Sequence, residues 1–406
     1  SLYRAALGIA ASLLLSACKV EIIVPTGGKV ISSENFECLS GERCVFDVRD
    51  TSFDRTFTAV PDPGYVFTRW QRLPASLCGN TVRPCRLSTT NFPGTAILES
   101  DNVYYLVPEF RSLDIDYWSQ TLKEIRNQAF TSDAFLYSLA PDPDSCDAGA
   151  LSQAAKQRAL EAVNQVRSLN DLAPVDYDSS YDVEMQATSV VQAANNYINH
   201  FPDPGDACYS EAAATGARTS NLTAGPQDDP AAHVFGWTND NRNVGRLEAA
   251  GHRRWIQFPQ LGQISYGQVS GFGALKVFSF GLPPNTVPPD LDFVAMPYRD
   301  YPYVLVSQGS EPTPWSLSMV PAGDPAVPFD YFSGATVSVI VSVSGTGLPV
   351  HSLYTDTEGF GLANFLSWQV DGWEYDTEYT VSIRGIQLPG GSSRDISYPV
   401  VLDRFN

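Results

Sequence analysis

The chain has 406 residues, 45 of them acidic and 26 basic, which gives a formal net charge of −19 at pH 7. This balance argues against a nucleic-acid partner, because nucleic-acid-binding proteins neutralise phosphates with clustered lysine and arginine. The length exceeds that of one typical domain and predicts several. With 43% hydrophobic and 12% aromatic residues, the chain can form cores.

The first residues have the pattern of an export signal. An apolar run from residue 5 to residue 14 leads into Leu15-Ser16-Ala17-Cys18, which resembles the site where bacterial lipoproteins are cleaved and lipidated. The run is too short to span a bilayer. We therefore predict a lipoprotein signal peptide over residues 1–18, lipidation of Cys18, and a protein that contacts a membrane only through its lipid anchor. Lys19 favours the outer membrane or cell surface over the inner membrane.

Six further cysteines remain, an even number that suggests three disulfides in an oxidising compartment. Proximity in sequence favours the pairs Cys38–Cys44 and Cys78–Cys85, which leaves Cys146–Cys208. Metal binding by these thiols is the alternative, but no C-x-x-C spacing supports it.

Residues 19–110 contain only strand and turn patterns and predict a small all-β module. Part of it resembles a small bacterial surface repeat with the signature A-x-P-x-x-G-Y-x-F-x-x-W. The matching residues are Ala59, Pro61, Gly64, Tyr65, Phe67 and Trp70. The resemblance implies a final strand over 103–110, and we expect the aromatic residues to form the core of the module. Residues 111–147 form a connector with one helical pattern, marked by Trp118 and Leu122.

The central region begins with two helical patterns. Ser152 is a suitable N-cap for a helix that reaches Leu169 and buries Ala155, Ala159, Ala162, Val163 and Val166. A second helix is predicted from about Ser180 to Asn199, with a buried stripe from Val183 to Ile198, and it ends at His200 before a Pro-rich stop. Strands are predicted at Ile264, at Tyr266 and over 276–280, with Gly271 and Gly273 in the hairpin between them.

Several motifs of this region occur in the order typical of one family. They are Asn164-x-x-Arg167 with Asp178, His200, Asn221-Leu222-x-x-Gly225, Trp237-x-x-Asp240, and the segment from Gly251 to Pro259. Together they resemble the CAP superfamily (cysteine-rich secretory, antigen 5 and pathogenesis-related proteins), whose bacterial members read roughly G-H-R-x-x-I-L-x-P at the last motif. The resemblance implies an α-β-α sandwich over 148–286, with a cleft that brings His200 and His252 together.

The resemblance also implies two carboxylates in this cleft. Ser220 stands at the position of the first family glutamate when Asn221 is aligned, whereas Glu211 lies nearer the expected distance from His200 but lacks the flanking residues. Asp240 replaces the second glutamate, and Glu248, one helical turn before His252, competes for that role.

Two histidines and a carboxylate in one cleft could bind zinc, or they could form a hydrogen-bonded polar cluster. The lack of a local motif such as H-E-x-x-H favours the cluster, and no cofactor is predicted. A serine hydrolase would use Ser220, a histidine and Asp240, but no G-x-S-x-G elbow surrounds this serine.

We expect Arg253 and Arg254 to pair with acidic residues on the surface, and His233 and His351 to face solvent.

Short alternating strands return over 287–406 and predict an Ig-like β-sandwich. The predicted strands are 293–296, 304–307, 315–319, 336–343, 365–368, 379–383 and 400–402. The chain is thus predicted to be an α+β multidomain protein, with a central CAP-like domain flanked by a small N-terminal all-β module and a C-terminal β-sandwich.

The leading hypothesis is a lipid-anchored envelope protein that binds a lipid, glycan or protein ligand without catalysis. The alternatives are a metal-assisted or serine-type hydrolase and a structural or adhesion protein.

Overall fold

A computed structural model of the chain describes most residues from 18 to 404. The described ranges are 18–34, 36–48, 51–62, 65–72, 74–79, 81, 84–90, 102–112, 115–225, 228–243, 247–278, 284–288, 291–308, 311–321 and 325–404. The predicted signal peptide lies outside them, apart from Cys18, the first residue of a strand. Contacts divide the chain into two compact units, Ser1–Asp114 and Ile115–Asn406. The predicted domain boundaries at 147 and 286 fall inside the second unit.

The first unit is built from strands. They are β1 (Cys18–Ile23), β2 (Gly28–Ser32), β3 (Glu37–Cys38), β4 (Arg43–Val48), β5 (Asp54–Pro61), β6 (Tyr65–Trp70), β7 (Cys85–Ser88), β8 (Val103–Leu106) and β9 (Pro108–Ser112). They pair in the orders β4-β1-β8, β3-β2-β5-β7 and β6-β9. Trp70 is fully buried, and Phe67 packs against it at 5.3 Å between ring centroids, so two of the predicted core aromatics form part of this core.

The disulfides of the first unit are Cys38–Cys44 and Cys78–Cys85, as predicted. Each closes a short segment next to a sheet, and Cys38 and Cys85 are themselves buried in the core. A small domain of this kind has little apolar area to bury, so covalent links contribute substantially to its stability.

The second unit contains all the helices that the structure describes. The α-helices are α1 (Ile115–Arg126), α2 (Asp133–Leu136), α3 (Gln153–Ser168), α4 (Asp182–Asn195), α5 (Glu211–Arg218), α6 (Pro230–Asn239) and α7 (Gly251–Ile256). Short 3-10 helices cover Ser179–Tyr181, Leu247–Ala249 and Tyr303–Leu305. Short strand pairs link β10 (Tyr137–Leu139) with β11 (Ala150–Leu151) and β12 (Asp176–Tyr177) with β14 (Gln263–Ile264).

Helix α3 has the predicted cap and buried face. The side chain of Ser152 accepts from the Ala155 amide, and the predicted alanines and valines are all buried. Helix α4 differs from its prediction, because it ends at Asn195 and Asn196 adopts a left-handed conformation with φ 52°. The predicted stripe was wrong at its two ends, since Val183 is 74% and Ile198 47% exposed.

The helices α4 and α5 pack beside a sheet ordered β13 (Ser220–Ala224), β16 (Phe272–Lys276) and β15 (Tyr266–Val269). The contact between α4 and β15 is close, because a Cβ atom at Gly267 would lie 2.3 Å from the backbone oxygen of Met185. The predicted strand over 276–280 was misplaced: β16 ends at Lys276 and includes Gly273, and residues 279–280 lie outside the described ranges.

The C-terminal strands form two sheets. We call the sheet ordered β17-β19-β23-β22 the inner sheet; its strands are β17 (Phe293–Met296), β19 (Trp315–Met319), β23 (Phe365–Val370) and β22 (Val350–Asp356). The outer sheet is ordered β18-β25-β24-β20-β21; its strands are β18 (Arg299–Pro302), β25 (Ser393–Asp403), β24 (Glu378–Gln387), β20 (Thr336–Val341) and β21 (Gly347–Leu348). Residues 304–307 were predicted as a strand, but 304 and 305 lie in the 3-10 helix and 306 and 307 lie in neither a helix nor a strand; β22 was not predicted.

The two central strands of the inner sheet, β19 and β23, are covered on both faces, whereas the edge strand β22 is largely exposed. Every residue of β19 is buried, although its sequence alternates between apolar residues and serine. Ser316 accepts from Arg253 of α7, and Ser367 of the neighbouring strand donates to the backbone of Glu248. Continuous burial of this kind is expected of a strand covered on both sides. The helical region and the C-terminal sheets are therefore packed together.

The third disulfide, Cys146–Cys208, is also as predicted. It links the loop before α3 to the loop that follows His200, and it closes the longest covalent loop of the three, with a sequence separation of 62. Within the described residues, no helix is long and apolar enough to cross a membrane.

A partly buried carboxylate in the outer sheet gives a pH-dependent prediction. Burial, together with the charges of Asp403 and Glu378, raises the pKa of Asp300 to about 6. Because the folded-state pKa exceeds the unfolded value, the ionised carboxylate destabilises the protein above pH 6, and stability returns as the pH falls through this value. We expect Asp300→Asn to raise the free energy of unfolding at pH 8 by about 1 kcal/mol or more.

Urea unfolding at pH 8 and at pH 4 measures this effect. The difference between Asp300→Asn and the wild type should be much smaller at pH 4, where the carboxyl group is protonated in the folded state and close to half protonated in the unfolded state. Asp395→Asn is the matched control, because Asp395 is exposed on the same sheet and its Oδ1 accepts from Gly385. Equal effects of the two substitutions at pH 8 would contradict the prediction.

Candidate functional site

Two of the predicted residues, Asp240 and His252, lie at the ends of neighbouring helices. Helix α6 begins at Pro230, where the side chain of Asp229 accepts from the Ala231 amide, and it ends at Asn239, followed by the C-cap Asp240 with φ 56°. Aspartate tolerates this left-handed conformation better than most residues. Helix α7 begins at Gly251, so the His252 amide lies in its first turn and needs an acceptor outside the helix.

Asp240 supplies that acceptor. Its Oδ2 accepts from the backbone N–H of His252 at 3.0 Å, and its Oδ1 lies 2.8 Å from Nδ1 of the His252 ring. The carboxylate is 1% exposed and the imidazole 22% exposed. Because the carboxylate accepts at Nδ1, the proton of the neutral ring lies on Nδ1 and Nε2 carries the lone pair.

His200 follows α4 in a loop held by side-chain amides. Gln192 of α4 donates to the Asn199 carbonyl and accepts from the Asn199 amide. The Nδ1 atom of His200 lies 2.7 Å from the carbonyl oxygen of Ala217. A carbonyl can only accept, so this ring also carries its proton on Nδ1.

The two imidazoles interact electrostatically. Burial lowers the pKa of His200, the hydrogen bond to Ala217 raises it, and positive charge on His252 lowers it again. The net shift is downward, so His200 is neutral at pH 7. We call His200, Asp240 and His252 the imidazole site. In both rings, Nε2 makes no hydrogen bond to any residue that the structure describes.

Ser220 does not face the imidazole site as a nucleophile would. It is buried, and its hydroxyl donates to the Gly216 carbonyl at 2.7 Å and contacts the sulfur of Met185. The neighbouring Asn221 contributes more directly, because its side-chain amide donates to the backbone carbonyl of His252 at 3.0 Å. The Asn221-Leu222 motif was the signal for this contact.

The two alternative glutamates lie elsewhere. Glu211 is the first residue of α5, is exposed, and accepts from the hydroxyl of Tyr209. Glu248 is exposed in a 3-10 helix, and its backbone carbonyl accepts from Ser367. Neither side chain has a described contact with the imidazole site.

The surface positions expected for three neighbouring residues were wrong. Arg253 and Arg254 are buried, with 0% and 1% exposure, and their guanidinium groups bind backbone carbonyls in the interior. Arg254 does pair with an acidic residue, as expected, since it donates to Asp356 at 2.9 Å. His233 is also buried and lies 2.7 Å from the hydroxyl of Tyr266. His351 is exposed, as expected, and pairs with Asp371.

The imidazole site does not fit a metal held by three protein ligands. Both oxygens of Asp240 are engaged by His252, which leaves two imidazole Nε2 atoms as donors. Among the described residues, the group with three ligand atoms within 4.8 Å of one another is Cys38, Glu42 and Cys44, and its two sulfurs form a disulfide. Zinc sites normally have at least three protein ligands.

Comparison with known proteins supports the assignment of the central region. The model of the cysteine-rich secretory protein (CAP) family matches residues 160–273. This segment includes the three residues of the imidazole site, and the match supports a CAP domain in this part of the chain. No curated protein and no solved structure matches the chain.

The contact between Asp240 and His252 is tested by removing one acceptor oxygen. Asp240→Asn keeps the volume and the tolerance for a left-handed backbone, but places an NH2 group against a ring or backbone N–H. Since this leaves a buried donor unpaired, we expect a loss of about 1–3 kcal/mol in the free energy of unfolding.

Urea unfolding of Asp240→Asn and Asp371→Asn provides the measurement and its control. Asp371 also pairs with a histidine, but its side chain is 69% exposed and that of His351 44% exposed. An exposed pair contributes about 0–1 kcal/mol, so the control should change stability little. A loss in Asp240→Asn no larger than that in Asp371→Asn would show that the buried pair is not formed.

Proposed function

We propose that this is an exported CAP-domain protein whose imidazole site binds a ligand without chemically transforming it. The observation that carries the proposal is the fixed tautomer of His200 and His252. Each ring donates from Nδ1 to an oxygen acceptor, so each Nε2 is left as a hydrogen-bond acceptor. The site therefore suits a ligand with hydroxyl, amine or amide donors, such as a glycan, a lipid headgroup or a peptide.

Export is supported by the cysteines. The six residues other than Cys18 form three disulfides, which persist in oxidising compartments. The matching family is itself described as secretory. We propose that Cys18 is lipidated and that the protein is anchored in the cell envelope, at the outer membrane or the cell surface. The N-terminal β unit would then be a spacer, and the C-terminal sheets an Ig-like module.

A hydrolase is the second candidate, and one observation favours it. The pair His252–Asp240 has the geometry of a general base oriented by a carboxylate, with Nε2 as the basic atom. Ser220 would not be the nucleophile, because its buried hydroxyl donates to Gly216, so water would have to attack. A structural or adhesion role remains the third candidate, and it requires no ligand at the imidazole site.

The first prediction of the proposal is that ligands perturb two histidines selectively. The chain has 4 histidines, so a sample labelled with 15N in histidine gives a simple ring spectrum. The probes are cell-wall disaccharide-peptides, phosphatidylglycerol vesicles and ZnCl2. We expect one of the first two to shift the ring signals of His200 and His252 while those of His233 and His351 stay unchanged.

Substitution separates this outcome from binding elsewhere. His200→Ala and His252→Ala should each weaken binding of that probe by about tenfold or more, the equivalent of one hydrogen bond, and His351→Ala should not. Binding that persists in both site variants would overturn the proposal. Turnover of the probe that His252→Ala abolishes would favour the hydrolase, and stoichiometric zinc lost in both variants would favour a metal site.

A separate prediction concerns the lipid anchor. Expression of the full chain in a bacterium fed an alkyne-labelled fatty acid should label the wild type and place it in the membrane fraction. Cys18→Ala removes the thiol that accepts the lipid, so label and membrane association should both be lost. Labelling of Cys18→Ala at the wild-type level would refute the anchor without affecting the proposal for the imidazole site.

A further inference from the structure

The strongest observation outside the imidazole site is the buried guanidinium of Arg253. It is 0% exposed and makes four hydrogen bonds that fix its plane. On one side, Nε donates to the Thr238 carbonyl and Nη2 to the Asn239 carbonyl, each at 2.7 Å. On the other side, Nη1 donates to the Pro314 carbonyl at 2.7 Å and to the Ser316 hydroxyl at 2.9 Å.

The hydrogen bonds from Arg253 to Thr238 and Asn239 hold the last turn of α6, which orients Asp240. Thr238 and Asn239 are the last two residues of α6, and Asp240 follows them as the C-cap. The terminal carbonyls of a helix lack intrahelical partners and carry partial negative charge, which a cation stabilises. Arg253 therefore fixes the backbone from which the Asp240 carboxylate projects toward His252.

The charge of Arg253 acts on the same carboxylate. Burial lowers the pKa of Arg253 to about 10 against the opposing effect of the Asp240 charge, so the guanidinium is protonated at neutral pH. The backbone N–H of Arg253 also donates to Oδ2 of Asp240 at 3.4 Å. The interior cation therefore attracts the carboxylate that accepts from Nδ1 of His252.

The second pair of bonds extends this support into the C-terminal region. Pro314 precedes β19 and Ser316 lies within it, on the face of the inner sheet that α7 covers. We infer that Arg253 is a positioning residue: it holds Asp240 against His252 and makes the inner sheet a structural part of the imidazole site. This inference rests on the proposed function, because it concerns the same site, but it is testable without a ligand.

The neighbouring arginine provides a matched control. Arg254 is buried to the same depth, and it also binds the C-terminal region, through Asp356 and the carbonyls of Glu358 and Leu362. None of its described hydrogen bonds reaches α6 or Asp240. A purely structural role for both arginines predicts the same consequences when either is changed.

The experiment compares Arg253→Lys, Ser316→Ala and Arg254→Lys in the full chain labelled with 15N in histidine. Lysine keeps the charge but loses the planar fork of donors. We expect Arg253→Lys to populate the Nε2–H tautomer of the His252 ring, so that its Nδ1 and Nε2 15N signals move toward each other. Ser316→Ala should move these signals in the same direction by less. Arg254→Lys should leave them unchanged even if urea unfolding shows a similar loss of stability.

The outcome also separates this inference from the proposed function. A His252 ring 15N spectrum that is the same in the wild type, Arg253→Lys and Ser316→Ala would overturn the positioning role, whether or not a ligand binds. A shift in Arg253→Lys that Arg254→Lys does not reproduce supports it, even if none of the probes binds to the wild type. If Arg253→Lys does not fold, Ser316→Ala alone decides, because it removes one acceptor and leaves the guanidinium in place.

Discussion

The hydrogen bonds of Arg253 are the constraint on which the arrangement of the second unit depends. Removing a charged group from water costs several kcal/mol unless polar partners replace the solvent. Here the partners are the terminal carbonyls of α6 on one side and the carbonyl that precedes β19 on the other. Separating these elements would leave the guanidinium without partners. The guanidinium therefore couples the end of α6 and the start of α7 to the inner sheet.

Helix α7 illustrates why such long-range support is required. It has six residues, Gly251–Ile256, and a helix of that length is unstable by itself because nucleation outweighs its few hydrogen bonds. Its first turn is capped by Asp240, and its last turn is held by Arg167, which donates to the Ile256 and Phe258 carbonyls at 2.8 Å. Groups from α3 and α6 thus replace the partners that a longer helix would supply internally, and they fix the orientation of His252.

Sequence patterns correctly predicted the elements that are determined by residues close to one another in the chain. The cap at Ser152 and the spacing of small apolar residues define α3, and the cysteine spacing matched the disulfides. The expected end of α4 was wrong because the left-handed Asn196 closes the helix before the Pro-rich stop. The surface position expected for Arg253 was wrong for a different reason. Arginine is rarely buried unless it is paired, and its acceptors at residues 314 and 316 lie some sixty positions further along the chain.

The candidate site also combines features that the sequence motifs predicted with features that they did not. The family motifs placed His200, Asp240 and His252 in one region, and the contact between Asp240 and His252 is present. What the motifs could not provide was the assignment of acceptors to each ring. The partner of His200 is the backbone carbonyl of Ala217. Because any residue type could supply this carbonyl, no sequence motif predicts the contact. The buried hydroxyl of Ser220 likewise depends on a backbone carbonyl, that of Gly216 in α5. The tautomers, and therefore the chemistry of the site, are properties of the packed structure.

The two imidazoles are held by unlike means, and this difference bears on how the site would select a ligand. His200 depends on its own neighbourhood, where Gln192 fixes Asn199 and the Cys146–Cys208 disulfide restrains the following loop. His252 depends on Arg253 and hence on strands more than sixty residues away. The relative position of the two rings consequently depends on both sets of contacts. A ligand bound as proposed above would meet rings that are already held in place, which reduces the conformational entropy lost on binding.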